Sequence, residues 1–323
     1  MIPKQNLKLL KPKLRLKPKL RLKPKQLPKS CPEQIINSFY EKDRSKNDSN
    51  NKKRENIIAC VINEEIPEEY YKRSIKWSNL KKEIYLYIKK LCKITGITSV
   101  DTIKCVPKAG RRHHYDFNLI INGSQEFALE FKFNASSVDD TPQFVSPMKP
   151  SQYLESSYEE YYYDNYFIDL VNEYKLPLPT KEEYLKHIHS PSPICVKEHQ
   201  QKYYGGCKKS SKYTGEEDDI KFYEASKKAS RDSITSFISK YGLDKDKLTK
   251  YLLDTQKNKF YMLYKDGKFN LETINQDDYI ITTFTKEPEK SRYIAKTKSD
   301  KKLNILLRWK NGNGIAFPSF QIS

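Results

Sequence analysis

Cysteine is sparse and shows no pairing pattern: the six residues at 31, 60, 92, 105, 195 and 207 include no Cys-x-x-Cys. This excludes a disulfide framework and any named zinc finger or ribbon, and it predicts reduced thiols in an intracellular protein. The chain also lacks the long apolar run of a secretory signal or membrane span, so neither secretion nor membrane anchoring is expected. Acids are absent from the first thirty residues, which hold eleven Lys or Arg. Of the net +19, those eleven charges leave +8 for the remaining residues, so the body of the chain is only moderately basic.

What fills that acid-free stretch is a six-residue repeat, Lys11-Pro12-Lys13-Leu14-Arg15-Leu16, then Lys17 to Leu22, then Lys23-Pro24-Lys25. Proline every sixth residue forbids a continuous helix and like charge opposes collapse, which predicts an extended, disordered arm suited to polyanions. A nucleic-acid clamp, a nuclear-localisation segment and low-complexity drift are the alternatives for it. The Lys, Asn, Ile and Tyr bias throughout points to an AT-rich coding sequence, as in a large DNA virus or an AT-rich microbe. Residues 41 to 56 read as a polar linker, with folding expected from about Ile57.

The densest chemistry lies in residues 115 to 133, two alternating strands joined by Asn122-Gly123, with Asp116 on the first and Glu130-Phe131-Lys132 on the second. Asp116 and Glu130 are hard oxygen ligands for Mg²⁺ or Mn²⁺. Lys132 shares the face of Glu130 and would direct its ammonium at a phosphate or an attacking water. Acid-x-Lys also occurs at Glu173, Asp219, Asp266 and Asp300; only at Glu130 does it sit in an apolar strand whose hairpin partner carries another acid. The alternative is an amphipathic hairpin whose outer face happens to bear these groups. Register decides between them: a two-residue loop puts Asp116 and Glu130 on opposite faces, whereas a three-residue loop, as in a type I turn closed by a glycine bulge, puts them on one. In the second case Phe117, Leu119, Ile121, Phe127, Leu129, Phe131 and Phe133 form the core face.

This arrangement resembles the PD-(D/E)xK nuclease superfamily, with Asp116 matching the first acid, Glu130 the second and Lys132 the lysine, across about residues 76 to 170. Tyr115 stands where the family name has proline. The resemblance implies an α/β fold, a restriction-endonuclease-like mixed sheet flanked by helices, and a metal held by Asp116, Glu130 and the Phe131 carbonyl. It also implies a double-stranded DNA substrate. A first helix carrying a further acid would be the amphipathic segment Trp77 to Leu91, stopped at Thr95-Gly96, where Glu83 borders the apolar stripe either as that metal-ligating acid or as a solvated flank residue. A polar residue after the lysine strand would be Gln143.

Around this core, Ile97 to Val106 reads as a strand, and a basic loop through Arg111 and Arg112 offers phosphate contacts and leads to His113 and His114, which serve phosphate contact, proton transfer or only the loop. Gln152 to Tyr174 reads as a long helix rich in tyrosine, suited to packing on the sheet or stacking on bases. Residues 176 to 215 read as an irregular insertion. Within it, His187, His189, Cys195, His199 and Cys207 are zinc-competent in type but not in spacing, so a structural Zn²⁺ is not expected. Residues 216 to 323 read as a C-terminal α+β extension, with helices 216 to 240 and 244 to 256 and strands at 259 to 265, 268 to 274, 279 to 285 and 303 to 308. Arg308 and Lys310 flank Trp309, either as nucleic-acid contacts around an exposed ring or as solvated cations beside a core residue.

The sequence therefore predicts a Mg²⁺-dependent nuclease with a disordered arm over 1–56, an α/β core over 57–175, an insertion over 176–215 and an α+β region over 216–323. It would act on nucleic acid, away from membranes, in the nucleus, the cytoplasm or a viral factory. The competing reading is a non-catalytic nucleic-acid-binding or packaging protein.

Overall fold

The computed structural model describes residues 32–43, 47–108, 113–138, 149–190, 192–204, 216–309, 314–315 and 317–323. The basic arm, together with Arg111, Arg112, Gln143, Cys207 and Lys310, lies outside the described residues.

Two helices precede the point where folding was expected to begin: α1 (Pro32–Tyr40) and α2 (Asn47–Ile62). Ile35, Ile36 and Phe39 fall one helical turn apart and are buried, as are Ile57, Ile58, Val61 and Ile62. The polar opening of α2 concealed this, because its anchor is a charged residue. Arg54 is buried and donates to the Phe39 carbonyl at 2.8 Å, to Asn51 Oδ1 at 2.7 Å and to the Glu41 carbonyl, with its guanidinium 3.5 Å from the centre of the Phe133 ring.

After the short α3 (Glu68–Arg73) comes α4 (Ile75–Thr95), preceded by Ser74 as its N-cap and closed by Gly96 with φ of 75°. Trp77, Leu80, Ile84, Tyr87, Ile88 and Leu91 form its buried stripe. The first strand, β1 (Ile103–Pro107), is shorter than the expected 97 to 106. It leads to β2 (Phe117–Ile121) and β3 (Gln125–Phe133). Much later come β4 (Lys259–Lys265) and β5 (Lys268–Thr273). These make a mixed sheet in the order β1-β2-β3-β4-β5, antiparallel except for the parallel β3–β4 pair. Its odd-residue face, with Phe117, Leu119, Leu129 and Phe131, is buried with Met262, Tyr264 and Phe269 against α1, α2 and α4.

A parallel pair needs a long crossover, and here it contains α5 (Tyr158–Tyr162), a π-helical turn, α6 (Ile168–Glu173), α7 (Lys181–Ile188), α8 (Pro193–Gln201), α9 (Glu217–Lys240) and α10 (Lys245–Gln256). The expected long helix from Gln152 is thus shorter, capped at Ser157 and interrupted at Tyr163–Phe167. The segment expected to be irregular holds two helices, capped by Thr180 and Ser192, whose side chains accept from the Glu183 and Cys195 N–H groups. Helices α9 and α10 fall within one residue of the expected 216 to 240 and 244 to 256, with Asp244 accepting from the Lys247 N–H at 3.1 Å.

A second, antiparallel sheet follows: β6 (Ile281–Glu287), β7 (Arg292–Thr297), β8 (Lys302–Trp309) and β9 (Pro318–Ile322). The strands β7 and β9 were not anticipated. Leu303, Ile305, Leu307 and Trp309 alternate inward on β8 and join a separate core with Tyr158, Tyr162, Phe167, Phe237 and Leu248. No helix among the described residues is long and apolar enough to cross a membrane.

Candidate active site on the mixed sheet

The β2–β3 pair runs from Phe117↔Leu129 to Ile121↔Gln125, leaving Asn122, Gly123 and Ser124 as a three-residue loop. That is the register a shared site requires. The turn differs from expectation in its backbone: Asn122 and Gly123 are both left-handed, φ 51° and 70°, with Ser124 as the extra residue. Asn122 also ties the hairpin down, accepting from the Asp101 N–H at 2.7 Å and donating to the Ser99 carbonyl at 3.0 Å.

Asp116 lies just before β2. Its N–H donates to the Leu129 carbonyl at 2.9 Å, and its Oδ2 accepts from the Phe131 N–H at 2.8 Å. The carboxylate is therefore fastened to the peptide that joins Glu130 to Phe131. Glu130 is flanked by two cations. Lys132 Nζ sits 2.6 Å from Oε1, and Lys259 Nζ, from β4, sits 3.2 Å from Oε2. Lys259 reaches it because β4 runs parallel with Ala128 opposite Lys259 and Glu130 opposite Tyr261.

The electrostatics follow from burial and crowding. Burial disfavours the Asp116 carboxylate and Glu130's charge adds to it, so its pKa is raised to about 6 despite the Phe131 N–H. Burial opposes ionisation of Glu130 too, but Lys132 and Lys259 outweigh it and hold the carboxyl below its usual value. The two lysines part ways. Burial would lower Lys132, yet the close pair with Glu130 raises it above the ordinary value. At Lys259, whose side chain is 3% exposed, burial wins over the longer contact and the pKa is lowered.

Two members of this site were not found in the sequence. Lys259 stands some 130 residues from the hairpin, a pairing that only sheet topology creates. Glu55 on α2 is half-buried, and burial followed by the charges of Asp116 and Glu130 raises its carboxyl to about 8. It is Glu55 whose environment is set by the hairpin acids, whereas Glu83 lies near enough to Tyr264, on the opposite face of the sheet, to raise that phenol. The helix acid was sought on α4, and the helix that brings one to the site is α2.

Of the remaining candidates, His113 is exposed with its ring 5.5 Å from Tyr115, and His114 packs edge-on against Tyr251 at 6.1 Å. Burial, then the Lys259 charge, lowers the His114 pKa. Trp309 is a core residue, 3% exposed, its Nε1 donating to Tyr158 Oη at 2.9 Å. The ring is thus removed from any base-stacking role, and Arg308 beside it is half-buried. Tyr158, Tyr162 and Tyr163 are buried as well, so packing accounts for most of the tyrosine-rich stretch.

The histidine-rich segment divides in two. His189 Nε2 meets Glu159 Oε1 at 2.8 Å, while His187 and His199 stack on each other with centroids 5.5 Å apart. Burial, then the His187 ring, lowers His199 to about 4. Among the described residues no group of three His, Cys, Asp or Glu side chains is already gathered to hold a metal. This applies to the hairpin as well. Its donors are hard oxygens, the right kind for Mg²⁺, but one of them is still engaged by lysine.

Comparison of the chain with protein-family models, with curated proteins and with solved structures returns no match.

Proposed function

We propose that the protein is a metal-dependent nuclease of the PD-(D/E)xK type, hydrolysing phosphodiester bonds in double-stranded DNA inside the cell. One observation carries this reading: Asp116 and Glu130 meet at a single peptide on one strand pair, with Lys132 2.6 Å from Glu130. Two carboxyls here are raised, to about 6 at Asp116 and about 8 at Glu55, because burial and the neighbouring negative charges disfavour their ionised forms. Concentrated carboxylates of this kind are relieved by a divalent cation.

Asp116, Glu130 and the Phe131 carbonyl would hold Mg²⁺, or Mn²⁺ in its place. When bound, the ion supplies Lewis-acid activation of water and neutralises charge on the phosphate. Asp116, pinned by the Phe131 N–H, keeps its second carboxylate oxygen oriented. Lys132 supplies a preorganised positive charge beside the reacting phosphate, where it is most effective in a site this shielded from water. The basic arm would add sequence-independent affinity through phosphate contacts. A specific observation favours a second reading, a non-catalytic nucleic-acid-binding or packaging protein: both oxygens of Glu130 are already spanned by ammonium groups.

A cleavage assay with Mg²⁺ and Mn²⁺ on plasmid, linear duplex, single-stranded DNA and RNA separates the two. Lys132→Ala should slow cleavage by roughly 10²-fold or more, the scale for loss of one preorganised charge-stabilising group, with little change in binding. Asp116→Ala should abolish it. Wild type that binds duplex tightly and cuts nothing under these conditions would favour the binding protein.

A further inference from the structure

Beside the hairpin acids lies a cleft of about 130 Å³, bounded by His113, His114 and Tyr115 ahead of β2, by Asp254 at the end of α10, and by Lys257 and Lys259 leading into β4. Lys257 is exposed, and Lys259 is the residue whose ammonium reaches Glu130 Oε2 at 3.2 Å. One side chain thus belongs to both the cleft and the acid site. We propose that this cleft receives a backbone phosphate of a nucleic-acid strand, and that Lys259 turns from Glu130 to that phosphate as the strand binds. The inference rests on the nuclease reading and adds to it an order of assembly.

The argument is one of competing partners. Lys259 is buried, and an anion within reach favours its charged form. Without substrate that anion is Glu130. A phosphate in the cleft offers a second anion on the wall that Lys259 already lines, together with the Lys257 ammonium and N–H groups of the two histidines. Asp254, which also lines the cleft, is exposed, so its repulsion is screened by solvent. Lys132 makes the shorter contact with Glu130, 2.6 Å against 3.2 Å, and does not line the cleft, so Lys259 is the partner assigned to the phosphate. Once Lys259 leaves, Glu130 Oε2 is available to a cation and carries an uncancelled charge. Strand binding and cation binding are then positively coupled, and the coupling is reciprocal. Lys259 is a positioning residue in this scheme, acting through Glu130. It would keep the site from assembling around a cation before nucleic acid is present.

The test is calorimetric titration of Ca²⁺, an oxygen-seeking probe cation, into the full chain, alone, with a short duplex oligonucleotide, and with millimolar inorganic phosphate. In wild type the duplex should raise Ca²⁺ affinity by about tenfold or more, the scale of removing one like charge from the site. In Lys259→Met the free protein should bind Ca²⁺ about tenfold more tightly than wild type, and the duplex should add less than about threefold. Equal coupling in the two proteins overturns the role of Lys259. Coupling produced by inorganic phosphate and not by duplex overturns the assignment to a strand. Lys257→Gln, on the exposed wall, guards against misfolding of the buried variant: duplex affinity should fall about 3- to 10-fold as one phosphate contact is lost, with Ca²⁺ affinity of the free protein unchanged. Unaltered duplex affinity in that variant overturns the cleft as a phosphate site. Absence of Ca²⁺ binding and of Mn²⁺ binding in every arm would overturn the nuclease reading itself, a different outcome from cation binding without coupling.

Discussion

Replacing Glu55 by glutamine should make the protein more stable at alkaline pH, although the substitution removes a charge from a partly exposed helix. Glu55 has its carboxyl pKa raised from 4.5 to about 8 by burial and by the charges of Asp116 and Glu130. Below about pH 4.5 the folded and unfolded chains both hold this proton. Between that point and about pH 8 the folded chain keeps it while the unfolded chain releases it, so stability falls as pH rises through the window and levels off above it. At 1.36 kcal/mol per pKa unit the full shift is worth ~5 kcal/mol. Glu55 is not wholly shielded, so solvent screening reduces this to ~2 kcal/mol. Glutamine mimics the protonated form at every pH and does not suffer the loss. Urea unfolding in the presence of chelator, run at about pH 5, 7 and 9, should therefore show the two proteins within ~0.5 kcal/mol at the lowest pH and Glu55→Gln ahead by ~2 kcal/mol at the highest. The raised Asp116 carboxyl acts in the same direction at lower pH, and the lowered His114 acts in the opposite one in both proteins. Curves that stay parallel from pH 5 to 9 would refute the claim that α2 delivers a carboxyl into the field of the hairpin acids. Mg²⁺ at neutral pH should narrow the gap, because a cation at Asp116 and Glu130 favours the ionised form of Glu55.

Removing residues 1 to 30 should weaken duplex binding nearly equally for all sequences; if about half of the cations meet phosphate, the log–log salt slope measured by fluorescence anisotropy should fall by roughly 4 to 5. An unchanged slope would assign the arm to targeting or to drift. Arg54→Met should cost ~1–3 kcal/mol in denaturant unfolding, since it leaves the carbonyl of the buried Phe39 without its guanidinium donor. It should also bring the Glu55-linked pH dependence closer to that of an ordinary glutamate by loosening α2 from Phe133. Trp309→Ala should cost ~3–5 kcal/mol through the cavity it leaves in the second core, while duplex affinity of the folded protein, measured by the same anisotropy titration, should change by less than about twofold if the ring makes no nucleic-acid contact.

Local patterns in the chain determined most of what is local in the structure. The alternation of 117 to 133 set the two faces of the hairpin, and the Asn-Gly pair supplied two left-handed positions for the turn. The stripe from Trp77 to Leu91, the Gly96 stop and the Asp244 cap fixed helices whose hydrogen bonds close within a few residues. Likewise Asp116, Glu130 and Lys132 could be singled out because hairpin partners are near in sequence. Where local signal was weak, the reading failed. The strands β7 and β9 carry little unbroken alternation, and α2 opens on polar residues whose value comes from Arg54 meeting carbonyls of another helix. For Trp309 between two cations the chain left an exposed and a core position equally open, and only packing against Tyr158 and Tyr162 put it inside. The decisive additions to the site came from farthest away. Lys259 reaches Glu130 because β4 returns to pair parallel with β3 after a long crossover, and Glu55 on α2 feels the charges of Asp116 and Glu130. No pattern along the chain encodes such meetings, since periodicity reports which face a residue takes on its own element, and only the tertiary fold determines which other charges that face will meet.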